Sequence, residues 1–343
     1  MMKNKIPYIF AGLAIVVITF SILFSRLLLK ISVFPKEDSI ILNIPTGSSY
    51  NNVLDTLNAN LIIKNKKAFN WLVKKKKYPD LIKSGKYVVN KPMSINELID
   101  MLRAGNQAPI RVTFNNIRSM EQLAGRFSKQ LEIDSTDFMM FFSDTSNYIK
   151  NGFTKENIIS IFIPNTYEFY WNTDAKGIYT RMLTEYNKFW NLDRMAKAEK
   201  LGLSRTDVSI IASIIDDEVL KKEEKPIIAG VYLNRLKRGM LLQACPTIKF
   251  AMNDFTITRV LYKHLEFESP YNTYKYKGLP PGPIGCASIE GIDATLNAED
   301  HDYLFFAAKA DFSGYHNFSK TLLQHNRYAA EYQRELDRRR IFR

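Results

Sequence analysis

The segment SRTDVSIIASIIDDEVLKKEEKPIIAGVYLNRLKRGMLLQACPT, residues 204–247, predicts two helices joined by a charged turn. Ser204 with Asp207 three residues later resembles a capping box at a helix start. Pro226 suits the first turn of the second helix, and Gly239 suits the position just past its last turn. Between these marks lies the most informative carboxylate of the chain.

Glu218 falls inside the apolar stripe of the first helix. At about 100° per residue, one broad face collects Val208, Ile211, Ile214, Ile215 and Val219. Asp217 points nearly the opposite way and Asp216 lies at the margin, so three consecutive acids have three environments. Burial raises the pKa of a carboxylate, which would let Glu218 donate a proton as a general acid near neutral pH. The pattern also allows Glu218 to pair with a buried arginine or to cap a loop.

A polar residue interrupts the second helix in the same way. Asn234 lies on the apolar face with Ile227 and Val231, where its amide could hydrogen bond a substrate or hold the structure together. The four histidines have no metal-ligand spacing, and the sequence has no Gly-rich phosphate loop and no Ser-His-Asp order. We therefore expect neither a metal nor an organic cofactor.

Length, charge and the N-terminal segment limit the class of protein. The chain has 343 residues, enough for two domains, and a net charge of +13 that implies an anionic partner. Residues 7–29 carry no charge before Arg26 and are long enough for about 30 Å of hydrocarbon. They predict one uncleaved membrane anchor, with residues 1–6 as a cytoplasmic tail. The rest of the chain would then lie outside the cytoplasm, so nucleic acid is not an expected partner.

The segment after the anchor predicts a small α/β module over residues 38–105. Its order of strand, helix, helix and strand resembles the LysM-like modules that bind glycan chains. A further helix begins at Ser94 and stops at Gly105. The run Lys74–Lys77 fits a solvated helix end, or a contact with an anionic polymer or lipid head groups.

A new strand at 109–114 starts the second domain, predicted over residues 109–343 and again mixed α+β. Helices are predicted at 119–150, 175–200 and 289–299, and a buried strand at 303–308. The aromatic stretch 161–171 could form a sugar-stacking wall or a core, and it holds a second acid, Glu168. Two Pro-rich loops, 269–274 and 278–284, carry polar residues of the kind that often bind ligands.

Six blocks in this order are similar to one family, the YceG-like endolytic murein transglycosylases. The blocks are ASIIDDEV (212–219), VYLNRL (231–236), GMLLQACPT (239–247), YNTY (271–274), GLPPGPI (278–284) and HNF (316–318). The resemblance covers about residues 40–340. It implies an α+β fold with a transmembrane helix, a LysM-like module and a YceG-like catalytic domain.

The resemblance also implies the chemistry. Such enzymes are lyases that cleave the MurNAc-GlcNAc bond inside nascent peptidoglycan strands, leave 1,6-anhydroMurNAc ends and thereby terminate elongation. The catalytic acid of the family falls on Glu218, which would protonate the glycosidic oxygen and then take the proton of the attacking C6 hydroxyl. Candidate substrate-binding residues, or supports for Glu218, are Asn234, Gln243, Thr247, Tyr271, Asn272, Thr273 and Asn317.

The implied setting is a bacterial inner membrane with a single anchor and a periplasmic catalytic domain. Glycan strands are the expected partner, and peptidoglycan synthases are candidate partners. No cofactor is needed for this reaction.

Two positions depart from the family pattern. Cys245 stands where the family usually has Asp, and Val219 stands where it usually has Thr. We hypothesise that Cys245 and Cys286 form a disulfide in place of the missing polar tether. Two other functions stay open: a peptidoglycan-binding scaffold with weak or no catalysis, and a water-using muramidase with Glu168 or Asp216 as its second carboxylate.

Overall fold

The computed structural model describes residues 6–257 and 260–339. These residues form two compact units. The first unit contains the chain up to Arg111, joined by Gln130–Ile133 and Glu168–Asp174, and the second contains Val112–Lys129, Asp134–Tyr167 and the chain from Ala175. The mixed α+β class predicted from the sequence is confirmed, whereas the predicted domain bounds stay a prediction.

The first unit combines helices with short antiparallel strands. Its elements are α1 (Ile6–Leu29), β1 (Ile31–Pro35), β2 (Ile40–Ile44), α2 (Tyr50–Asn60), β3 (Leu61–Ile63), α3 (Lys66–Lys75), β4 (Gly85–Val89), β5 (Met93–Ser94) and α4 (Ile95–Ala104). Strand β1 lies between β3 and β5, and β2 pairs with β4. Strands β1 and β2 belong to two different sheets, and the exposed residues 36–39 separate them.

The module core forms where the apolar faces of its helices meet the strands. Leu57, Leu72, Tyr87 and Leu98 are among its fully or almost fully buried side chains. The predicted order of strand, helix, helix and strand is present, with β3 as an additional strand between the helices. The LysM-like assignment itself stays a prediction.

The N-terminal helix was predicted to be a membrane anchor. Among the helices in the described part of the chain, none combines the length and the apolarity that a membrane span requires. The anchor over residues 7–29 stays a prediction, and residues 1–5 of the predicted cytoplasmic tail lie outside the described residues.

The second unit is mostly helical. Its elements are β6 (Ile110–Phe114), α5 (Met120–Ser128), α6 (Ser135–Ser143), β7 (Asn165–Phe169), α7 (Ala175–Phe189), α8 (Leu192–Leu201), α9 (Arg205–Glu218), α10 (Lys225–Lys237), α11 (Cys245–Ala251), α12 (Tyr262–Leu265), α13 (Ile289–Leu296), β8 (Phe305–Ala308), β9 (His316–Ser319) and α14 (Leu322–Arg338). The first two residues of β6 and the last two of β7 belong to the first unit. Strand β6 pairs with β7, and β8 pairs with β9.

Three predicted elements differ in extent. The helix predicted over 119–150 is the pair α5 and α6 followed by 3₁₀ turns, and the one over 175–200 is the pair α7 and α8. The second break occurs because the Asn191 side chain accepts a hydrogen bond from the Arg194 amide and starts α8 afresh. The strand predicted as buried at 303–308 is β8, whose residues are only half-buried.

Helices α9 and α10 lie at the centre of the second unit. The capping box predicted at Ser204 and Asp207 is confirmed, with both reciprocal hydrogen bonds present. Eight consecutive residues of α9, 208–215, are buried, because α8, α10, α11 and α13 all pack against this helix. Helix α9 ends at Glu218, so the surrounding helices fix the position of this carboxylate.

Candidate active site

The last turn of α9 gives its three acids three different environments, as the sequence predicts. Asp217 is exposed, while Asp216 and Glu218 are half-buried. The next residue, Val219, is buried and extended, so the chain leaves the helix directly after Glu218. Within the described residues, no hydrogen bond or ion pair engages the Glu218 carboxylate, and the alternative of a paired, structural Glu218 finds no support.

The electrostatics of Glu218 follow from this burial. Burial raises the pKa of Glu218 to about 7, with the positive charge of Lys249 opposing the rise and the negative charge of Asp217 adding to it. About half of such carboxyl groups would carry a proton at neutral pH. The residue can thus deliver a proton near pH 7 and later accept one, which an ordinary glutamate cannot do.

Four ionisable side chains from three other segments lie close enough to the Glu218 carboxyl to interact with its charge. Tyr232 comes from α10, Cys245 and Lys249 come from α11, and Tyr274 comes from the loop that follows α12. The Cys245 Sγ lies 3.1 Å from the Tyr274 hydroxyl oxygen. Burial raises the pKa of Tyr232, Tyr274 and Cys245, and the charge of Glu218 raises all three further. These groups therefore keep their protons at neutral pH.

Tyr232 has a separate feature. Its side chain is 2% exposed, and its hydroxyl has no hydrogen-bond partner within the described residues. A buried hydroxyl without a partner is costly, so this proton is available to any acceptor that enters the site or forms there.

Asp216 makes a structural network on the other side of the helix. Its two carboxylate oxygens accept hydrogen bonds from Lys225 Nζ at 2.8 Å, from the Ser288 hydroxyl at 2.8 Å and from the Ser288 amide at 2.7 Å. Lys225 also pairs with Glu290 at 2.9 Å. Burial acts to lower the pKa of Lys225, but its hydrogen bonds to Asp216 and Glu290 leave that pKa raised. Asp216 thus connects α9 to α10 and α13, a role different from that of Glu218.

Most of the chain matches one family model. The model described as the YceG-like family matches residues 42–331. The chain belongs to the YceG-like family. The family predicted from the six sequence blocks is confirmed.

Three relatives agree with that assignment. An endolytic murein transglycosylase of Bacillus subtilis (strain 168) is 33% identical over 312 residues, covering 86% of this chain and 85% of the relative. One of Streptococcus pneumoniae (strain R6) is 26% identical, and the match covers 85% of this chain but only 58% of that longer protein. A crystal structure of a yceG-like protein from Listeria monocytogenes matches with a TM-score of 0.56 at 28% identity, covering 84% and 98% of the two chains.

Three of the predicted binding residues of this YceG-like chain lie together beside α11. Thr247 and Thr273 are buried, and their hydroxyl oxygens lie 2.9 Å apart. The Ala244 amide donates to the Thr273 hydroxyl at 3.0 Å, and the Gln243 amide donates to the Thr273 carbonyl at 3.0 Å. The two threonines therefore hold the start of α11, which carries Cys245. Gln243 is exposed and has a left-handed backbone with φ of 51°.

Two predicted asparagines brace segments of backbone. Asn234 donates to the His301 carbonyl at 2.6 Å and to the Tyr303 carbonyl at 3.1 Å. Asn272 is fully buried and donates to the carbonyls of Leu265 and Phe267. These contacts fit a structural role for Asn234, which the sequence analysis left open. A sugar-binding role for Asn234 or Asn272 stays a prediction.

The remaining predicted residues lie in different surroundings. Tyr271 packs on Phe250 with ring centroids 4.8 Å apart, and burial raises its pKa to about 12. Asn317 lies on β9 opposite Ala307. Glu168 is exposed and belongs to the first unit, whereas Glu218 belongs to the second.

The hypothesised disulfide is wrong, because both cysteines are free. Cys245 begins α11 and faces Tyr274 and Glu218. The Cys286 amide donates to the Ile117 carbonyl at 2.7 Å, and its buried thiol lies near Tyr167. The two thiols therefore have different neighbours.

The sequence analysis did not identify Arg235, which holds the turn before α11 in place. Arg235 is 7% exposed, and its guanidinium donates to the carbonyls of Leu304, Leu241 and Leu242 and to the Gln243 side chain. It connects α10 to the residue just before β8 and to the turn before α11. Tyr232, Tyr274 and Lys249 were also missed as neighbours of Glu218, although Tyr232 and Tyr274 lie within the quoted blocks.

Proposed function

We propose that this protein is an endolytic peptidoglycan lytic transglycosylase, with Glu218 as its acid and base. The observation that carries the proposal is a half-buried carboxyl group at the end of a firmly packed helix, with a pKa of about 7 and no hydrogen-bond or ion-pair partner among the described residues. The relatives named endolytic murein transglycosylases support the reaction class, a lyase acting on peptidoglycan.

The reaction needs one carboxyl group used twice. Protonated Glu218 gives its proton to the glycosidic oxygen, O4 of GlcNAc, as the bond between this oxygen and MurNAc C1 breaks, and the electron pair of that bond stays on the oxygen. The C6 hydroxyl of the same MurNAc then attacks C1, and ionised Glu218 takes its proton. The product carries a 1,6-anhydro ring, no water is consumed, and Glu218 returns to its protonated state.

The neighbours of Glu218 suit the charged stage of this cycle. When Glu218 loses its proton, the Lys249 ammonium offers a compensating charge. The unpartnered Tyr232 hydroxyl supplies a donor in the same neighbourhood. Both oxygens of the Asp216 carboxylate already accept hydrogen bonds from Lys225 and Ser288, which disfavours Asp216 as the second carboxylate of a hydrolase.

The finer parts of the proposal concern the setting of the enzyme. We place it at the bacterial cytoplasmic membrane through an anchor over residues 7–29, with the catalytic unit in the periplasm, acting on nascent strands beside peptidoglycan synthases. The support is the apolar N-terminal sequence and the net charge of +13.

The products of digestion test the reaction class. We would incubate the full chain with purified peptidoglycan and read the released fragments by mass spectrometry. Internal fragments with 1,6-anhydroMurNAc ends are the expected result. Reducing ends would indicate a muramidase, and binding without new ends would indicate a scaffold, so either result would contradict the proposal.

The pH dependence of the rate tests the acid. Because only the protonated form of Glu218 can start the reaction, kcat/KM should be constant below pH 6 and fall about tenfold per pH unit well above 7. Initial rates between pH 5 and 9 on one strand preparation measure this. A profile that rises across pH 7 would exclude Glu218 as the initial acid.

A further inference from the structure

A cavity lies against the C-terminal end of α9, on the side of Asp216 rather than that of Glu218. It measures about 560 Å³, and Glu218 is not among its lining residues. All of its lining belongs to the second unit. Its walls include Asn115, Asn116, Arg118, Asp216, Asp217 and Leu220.

We propose that this cavity binds the stem peptide carried by the muramic acid whose bond is cut. The inference rests on the proposed function and names the part of the substrate that the site reads. In a peptidoglycan strand the peptide hangs from the lactyl group on C3 of MurNAc, with a single ring carbon between C3 and the scissile C1. A peptide must therefore leave the sugar close to the catalytic carboxyl.

The distances allow this connection. Asp217 and Val219, which line the cavity, are the chain neighbours of Glu218, and successive Cα atoms are about 3.8 Å apart. An extended peptide of three residues spans roughly 10 Å, about the diameter of a helix with its side chains. A stem peptide can therefore pass the end of α9 and enter the cavity while its sugar is at Glu218.

The donors of the cavity suit a peptide that bears a carboxylate. Arg118 forms one ion pair, from Nη2 to Asp217 at 2.9 Å, and its guanidinium plane lies over the ring of Phe255. No other N–H of this guanidinium has a partner within the described residues, and a guanidinium has five donors. The remaining donors can take a carboxylate in a bidentate geometry.

The amides of the cavity suit peptide backbone. The side chains of Asn115 and Asn116 are exposed and make no hydrogen bond within the described chain. Each offers a carbonyl oxygen and an NH₂ group, the complement of a peptide unit. Leu220, 95% exposed, adds an apolar contact at the rim for a small side chain.

The charges of the cavity do not oppose an acidic ligand. Asp216 is bound by Lys225 and Ser288, and Asp217 is paired with Arg118. The two lining acids are thus balanced by two lining cations, and a carboxylate entering near Arg118 meets no unpaired negative charge from them.

The wall that carries the amides is fixed before any ligand arrives. The Ile117 carbonyl accepts the Cys286 amide at 2.7 Å, and the Arg118 amide donates to the Gln122 side chain at 2.8 Å. A Cβ on Gly285 would lie 2.8 Å from the Ile117 carbonyl oxygen, so glycine permits this close approach. A preformed wall reduces the ordering cost of binding.

The test compares strands with and without their peptides, and uses the full chain. Wild-type protein should cleave peptide-bearing strands at least tenfold faster, in kcat/KM, than strands stripped by an amidase. Arg118→Ala should lower that ratio at least tenfold. Asn116→Gly should lower it about threefold to tenfold, and glycine tolerates the left-handed φ of 50° that Asn116 holds. The matched control is Arg327→Ala, on the exposed face of α14.

A second measurement separates this inference from the proposed function. Calorimetric titration of a soluble muramyl peptide should give binding that both variants weaken and the control keeps. Equal cleavage of both strand types, or variants that change both rates alike, would overturn the peptide site and leave the lyase intact. If the wild type cuts neither strand, the lyase proposal fails, and the titration alone then supports or overturns the cavity.

Discussion

Replacing Glu218 with glutamine should lower the rate of strand cleavage by at least about a hundredfold and up to about 10⁴-fold, the range expected when a general acid is removed. Glutamine has the size of glutamate but no proton to give near pH 7. The measurement is the initial rate of release of anhydro-ended fragments. Retention of more than a tenth of the wild-type rate would contradict the assignment of Glu218.

The same variant should be more stable than the wild type at alkaline pH. In the unfolded chain Glu218 titrates near its ordinary pKa of 4.5, whereas in the folded protein its pKa is about 7. A raised folded pKa means that the stabilisation by the protonated form is complete below about pH 4.5 and is lost as the pH rises through 7. The loss amounts to roughly 3 kcal/mol at 1.36 kcal/mol per pKa unit. Glutamine does not titrate, so Glu218→Gln avoids this loss.

The two results together distinguish chemistry from folding. Thermal unfolding at pH 5 and pH 8.5 should show the advantage of the variant growing with pH, while its activity stays low at both. The matched control is Glu223→Gln, because Glu223 is exposed and five residues further along the chain. If Glu218→Gln unfolds at a lower temperature than the wild type at pH 8.5, the raised pKa is wrong.

Replacing Arg235 with methionine should destabilise the second unit by about 3–5 kcal/mol. Methionine keeps most of the length of the side chain but leaves the carbonyls of Leu304, Leu241 and Leu242 without their donor. A buried acceptor left unpaired costs about 1–3 kcal/mol, and three are affected. Urea unfolding followed by tryptophan fluorescence measures the change in the transition of this unit.

The control for this experiment is on the same helix end. Arg238→Met removes an equal charge from an exposed position whose side chain makes no hydrogen bond within the described residues. It should change the free energy of unfolding by less than about 0.5 kcal/mol. Comparable losses in the two variants would mean that charge, rather than the carbonyl network, explains the effect.

Features that depend on local periodicity and helix capping could be predicted from the sequence. The start of α9 at Ser204 and the stop of α4 at Gly105 are confirmed at the residue level. The three environments of the acids at 216–218 followed from helical geometry alone, and the six sequence blocks led to the right family.

What the sequence could not predict depends on partners that are distant in the chain. Arg235 meets the Leu304 carbonyl 69 residues away, and an arginine on a helix gives no signal of such a contact. Asp216 was placed correctly at the margin of its helix, but its bonds to Ser288 and Lys225 come from other elements. Asn191 is a typical N-cap residue that the sequence analysis did not use, so one long helix was predicted where α7 and α8 occur.

The neighbours of the Glu218 carboxyl lie up to 56 residues away in the sequence, at Tyr274, and this separation has a consequence for the safety of the cell. An unfolded or partly folded chain has the same glutamate with an ordinary acidity, almost fully ionised at neutral pH and unable to protonate a sugar oxygen. The reactive group therefore comes into being only with the packed helices. Unfolded or partly folded copies of the chain would therefore lack the acid that cleavage requires, and only folded copies could cut the wall.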